Sequence, residues 1–139
     1  MDISPITTNY AVEDNSWLDS KHGTDMAVPI TLDLAAFDAA HYAEGKIPSG
    51  TVLGLITASE AYGPYLAGAT DGTETAVGFL LGDVRVAAGK TTGNLGGALH
   101  RHGAVKPNRL PFTSATTAGG FLDSAGETDL AAHFMFRTV

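Results

Sequence analysis

Residues Tyr65–Val86 read YLAGATDGTETAVGFLLGDVRV, a short apolar run, the pair Asp71-Gly72, and a second apolar run broken by Gly78 and Gly82. Asp-Gly between apolar segments is a strong turn signal, because glycine takes positive φ without strain and the aspartate side chain can bond its own backbone two residues on. The stretch therefore predicts two β-segments, Tyr65–Ala67 and Ala76–Ala88, folded around a polar turn. Their apolar faces carry no catalytic group, which argues for a structural module and not for a reaction centre.

The rest of the 139-residue chain is the length of one ordinary domain, able to bury a sizeable core without metals or disulfides. Only 17% of residues are charged and 17 are glycine, so surface that would ordinarily be charged is not. Either an oligomeric interface, whose core is depleted in charge, or many small loops of Gly, Ala and Thr would account for this. The net charge is −7, and the eight Lys and Arg form no run. Phosphate contacts need clustered cations, so no nucleic-acid partner is expected. Without Cys there are no disulfides and no thiol chemistry. No apolar run has the length of a membrane span, and the opening MDISPITTNYAVEDN lacks the apolar stretch of a secretory signal, so a soluble protein made in the cytoplasm and without a membrane partner is expected.

Working outward, residues 1–26 carry isolated apolar residues, Ile3, Ile6, Tyr10, Val12, Trp17 and Leu18, that fit neither a sustained helix nor a long strand. Such a segment cannot offset its own ordering entropy, and it reads as an arm that is mobile when free, with Trp17 needing an apolar cover. The ordered body is expected from near Val28, where VPITLDL alternates as a half-buried strand. Ala35–Glu44 predicts a short helical turn ending at Gly45. Thr51–Thr57 predicts a strand in which Gly54 marks a bulge or a close approach by another backbone. Lys90–Gly97 predicts a polar loop, Ala98–Val105 a strand, Pro107–Ser124 a loop, and Asp129–Val139 a closing strand with Leu130, Ala132, Phe134, Phe136 and Thr138 on one face. Together these describe a mostly β domain of small-barrel or sandwich type.

The best candidate for chemistry is His100-Arg101-His102, since two histidines at i and i+2 of a strand share a face and can share a metal, with His133 or Asp83 to complete the set. His-x-His arises easily by chance, and surface or interface histidines are the ordinary alternative. Gly93–Gly97 lacks the Lys-Ser/Thr ending of a phosphate loop. Ser59, Ser114 and Ser124 have no nucleophile-elbow context, and Asp123, Glu127 and Asp129 lack the spacing of a calcium loop. Tyr10, Trp17, Tyr42, Tyr62 and Tyr65 could form a stacking platform for bases or sugars, but without basic neighbours they read as core or interface anchors.

In order of features the chain resembles the head decoration proteins of tailed phages, the family typified by the lambda head decoration protein. The likeness rests on IPSGTVLG at Ile47–Gly54, YLAGATDGTETAVGFLL at Tyr65–Leu81, ALHRHGAVKPNRLP at Ala98–Pro111 and the apolar C-terminal strand, covering roughly residues 28–139. The segment 1–26 has no matching motif, and Phe112–Ser124 is longer and richer in glycine than the family pattern. The resemblance implies a compact β-barrel or β-tulip-like domain over 27–139 with short helical turns, preceded by an extended arm over 1–26. It implies a non-enzymatic protein without cofactors, a homotrimer on the outer surface of the virion at three-fold and quasi-three-fold positions. There it would lock the major capsid protein against DNA pressure, with the arm residues Ile3, Ile6, Tyr10, Val12, Trp17 and Leu18 binding the capsid. A small β-barrel metal-dependent enzyme using His100 and His102 is the alternative, and a carbohydrate-binding β-module a third.

Overall fold

The computed structural model describes residues 13–113 and 119–138. Among them, Val28–Asp33 (β1), Lys46–Ile47 (β2), Val52–Leu55 (β3), Tyr62–Pro64 (β4), Ala76–Leu80 (β5), Val84–Arg85 (β6), Asn94–His100 (β7), Gly103–Val105 (β8) and Phe134–Phe136 (β9) are strands, and Ser124–Leu130 (α1) is an α-helix. Five of the strands close into a barrel in the order β1, β4, β3, β5, β7. The longest ladder joins β1 to β7 antiparallel, from Val28 opposite Leu99 to Asp33 opposite Asn94. Two small pairs flank the barrel, β2 with β6 antiparallel and β8 with β9 parallel.

Period-two alternation sorts the core. In β3, Val52 and Leu53 point to opposite faces, as do Phe79 and Leu80 in β5, and all four are fully buried. Leu53 and Leu80 join Leu32 of β1 and Leu99 of β7 inside the barrel. Val52 and Phe79 join Trp17, Tyr65, Leu130 and Phe134 in a second core outside it. A sheet covered on both faces reads as a near-continuous apolar run, which is why TVLGLIT and AVGFLL look as they do.

The mostly β, barrel-like expectation holds, with β1 and β3 where the alternation places them. The turn at Asp71-Gly72 also forms. The Asp71 carboxylate accepts from the Thr73 amide at 3.1 Å and the Thr73 hydroxyl at 2.6 Å, and Gly72 has φ +109°. The two segments it joins are not partners, however. Both β4 and β5 pair with β3, which lies between them, and Tyr65–Ala67 is not strand. Eleven residues separate Pro64 from Ala76, long enough to cross a strand, so the turn residues do not fix the pairing.

Three other expectations need correction. Asn94–Gly97 is not loop but the first half of β7, paired with β1. Its glycines make room, since a Cβ on Gly97 would lie 3.1 Å from Leu80 Cδ1 and 3.4 Å from Leu32 Cδ1. The closing strand is short, because Leu130 belongs to α1 and only Phe134–Phe136 pair. The Asp123 carboxylate caps that helix by accepting from the Gly126 amide at 2.7 Å and also accepts from the Tyr65 hydroxyl at 2.8 Å. Burial and this carboxylate push the Tyr65 phenol well above its ordinary range. The helical turn of Ala35–Glu44 is two 3-10 turns, Leu34–Ala36 and Ala39–Tyr42.

Gly54 is where another backbone approaches closely. A Cβ there would stand 2.6 Å from Thr73 Cα, and the β3–β5 register shifts at Leu53/Gly54. Gly54→Ala should therefore cost about 1–3 kcal/mol in urea denaturation. Gly96→Ala, whose Cβ meets nothing within 4 Å, should stay within about 0.5 kcal/mol.

Candidate functional site

Of the residues expected on the arm, Ile3, Ile6, Tyr10 and Val12 lie outside the described residues. Trp17 and Leu18 do not stand out from the body. Trp17 is 0% exposed, 5.4 Å centroid to centroid from Phe79 and 5.7 Å from the His100 ring. Its indole N–H donates to the Ser49 hydroxyl at 3.2 Å. The strand–turn Gly50, φ +95°, leaves the space, for a Cβ there would lie 2.9 Å from Trp17 Cδ1. Within the segment expected as arm, the described part carrying Trp17 is packed on the body, because the indole finds there an apolar pocket and a hydroxyl acceptor.

Polar bonds hold the same segment on both sides. Ser49 donates to the Asn15 side chain and accepts from the Gly82 amide, and the Asp83 amide donates to Glu13 Oε1 at 2.7 Å. Asp83 in turn accepts from the Ser49 amide at 2.8 Å and pairs with Lys46 at 2.7 Å. Further along, Leu18 bridges Val105 antiparallel, the Lys106 amide donates to the Trp17 carbonyl at 2.7 Å, and the Asp19 amide donates to the Ala104 carbonyl at 3.0 Å. The segment is in effect a further strand beside β8. Arg137 grips Asp19 through Nε and Nη2, the shorter contact being 2.6 Å, and holds that carboxyl below its ordinary range.

The His-x-His motif is not brought together. β7 ends at His100, whose ring is 0% exposed between Trp17 and Phe134, while His102 lies beyond the strand with Nε2 2.9 Å from His22 Nε2. The strand break at Arg101 removes the alternation on which a shared face depended. Among the described residues no three His, Cys, Asp or Glu are grouped to hold a metal. Asp83, the other proposed ligand, is occupied by Lys46 and the Ser49 amide. His41, fully buried, is satisfied: Nδ1 accepts from the Asp38 amide at 2.9 Å, so Nε2 carries the proton donated to the Gly119 carbonyl.

What the surface offers instead is apolar contact. Met26, Leu66 and Met135 are the large exposed hydrophobics among the described residues, Met135 at 77%. The first two escaped sequence reading, but Met135 was legible: if Phe134 and Phe136 face inward, the residue between them faces out.

The described residues form a small β-barrel with a docked N-terminal segment. A family model for the bacteriophage lambda head decoration protein D matches residues 23–135. The chain belongs to this family, whose members are structural proteins of the phage capsid, and its role is head decoration on the virion. No curated protein and no solved structure matches it.

His100 makes this site acid-sensitive. Neither ring nitrogen has a hydrogen-bond partner, and burial, aided by His102, lowers its pKa from 6.5. The unfolded chain then takes up the proton first. Stability is complete above about pH 6.5 and falls as pH drops from there to the depressed folded value. His100→Leu should flatten that acid slope by up to about 1.4 kcal/mol per pH unit, read by urea denaturation between pH 8 and pH 5. An unchanged slope would mean that His100 does not titrate with folding.

Proposed function

We propose that this chain binds as a homotrimer to the outer surface of the mature phage head, at three-fold and quasi-three-fold positions, and cements neighbouring major capsid subunits against the pressure of packaged DNA. The observation that carries this reading is the family match over residues 23–135. The chemistry agrees with it. A net charge of −7 does not favour contact with the genome, and a barrel whose β3 and β5 are covered on both faces suits a rigid clamp.

Capsid attachment runs through the N-terminal arm, with Ile3, Ile6, Tyr10 and Val12 as its apolar anchors. Trp17 and Leu18 serve the same attachment differently. Their side chains tie the root of the arm to the body, so that force on the arm is passed to the barrel.

Two truncations separate these roles. Deleting residues 2–12 should leave thermal stability nearly unchanged and weaken binding to expanded capsids by at least about 100-fold. Deleting residues 2–26 removes Trp17 as well and should cost about 3–5 kcal/mol of stability. If the shorter truncation decorates capsids with undiminished affinity, the arm is not the attachment. Light scattering should give a trimer in solution or on capsid binding, and a stable dimer would overturn the assembly.

A further inference from the structure

The geometry points to a transition-metal site formed by His22 and His102, in which a divalent cation of the zinc, nickel or copper type bridges the two Nε2 atoms. These histidines come from segments 80 positions apart, one just before the turn at Gly23 and the other on the turn between β7 and β8. Their Nε2 atoms already face each other at 2.9 Å, with ring centroids 4.8 Å apart and planes at 62°. Zinc–nitrogen bonds of about 2.0–2.1 Å in a tetrahedral shell put two ligand nitrogens about 3.3 Å apart. The rings need to part by a few tenths of an ångström and turn so that both lone pairs converge on the ion, a movement open to side chains that are exposed at His22 and half-buried at His102.

The donor set selects the ion. Two imidazoles without a carboxylate between them suit zinc, copper or nickel and offer little to magnesium or calcium, which take oxygen. The pair stands at the rim of a hollow of about 320 Å³ that His133, Phe134 and Met135 also line, so water can reach the remaining positions of the shell. His133 is not grouped with the other two as a third ligand, which makes this a two-histidine site of modest affinity. Bound metal would staple the chain before β1 to the β7–β8 turn, alongside the Asp19–Arg137 pair. It would stabilise the folded form by RT ln(1 + L/Kd), where L is the free metal concentration.

The full chain, purified without a polyhistidine tag and stripped with chelator, tests this by thermal unfolding in a zinc chloride titration. The melting point should rise with the logarithm of zinc concentration once the dissociation constant is passed, by about 4 °C at a concentration tenfold above it, and magnesium chloride should do nothing. His22→Gln and His102→Gln should each abolish the rise, while His133→Gln keeps it. Because His22 is exposed and His102 only partly buried, the variants should fold, and imidazole ¹⁵N spectra of the wild type give an independent readout: zinc should shift Nε2 of His22 and His102 and of no other histidine. The proposal fails if zinc does not raise the melting point of the wild type, if either substitution leaves the rise intact, or if the shifted nitrogens belong to other histidines.

Discussion

The burial of Trp17 is the contact on which the outer half of this protein depends. Its ring fills the space between Phe79, His100 and the glycine at position 50, and its N–H is matched by the hydroxyl of Ser49. Fully burying a large aromatic side chain is among the largest single contributions a small domain can gather, and here it comes from a segment that the family match does not cover. Once the indole is in place, Leu18 can bridge Val105 of β8 and Asp19 can reach Arg137, so that one side chain aligns the segment beside β8. Ser49 gathers the partners of this joint from two other parts of the chain, Asn15 and Trp17 from the docked segment and Gly82 from the turn after β5.

The barrel and this outer layer share their strands. Single residue steps in β3 and β5 move from one core to the other, from Val52 to Leu53 and from Phe79 to Leu80. A disturbance of the docked segment is thereby felt inside the barrel through the same two strands. Glycine sets the tolerances: at Gly54 and Gly78 backbone or carbonyl atoms lie where a side chain would begin, 2.6 Å and 2.5 Å from the position of a Cβ. The glycine content that reads as loop composition is in part a condition of close packing.

One buried polar group stands apart from this economy. His100 occupies a wholly apolar joint without a partner for either nitrogen, while His41, equally buried, satisfies both of its own. The two rings show how little residue type says about a histidine's state, since one is a structural hydrogen-bonding unit and the other a neutral aromatic wedge that resists protonation.

Much of the fold was legible in the sequence because it depends on local periodicity. The alternation VPITLDL gave β1, TVLGLIT gave β3 with its constrained glycine, and Asp71-Gly72 gave a turn whose side-chain bonds lie within three residues. The family was legible in the succession of such features. Partnership was not: β3 between β4 and β5, Asn94–Gly97 as strand, and Trp17 as core each rest on atoms far away in the chain. For the same reason the sequence paired His102 with His100, two residues off, while the fold set it against His22. Spacing along a chain determines which way a side chain can point, but which surface or ring it meets is decided only when distant segments are packed and compete for the same buried volume.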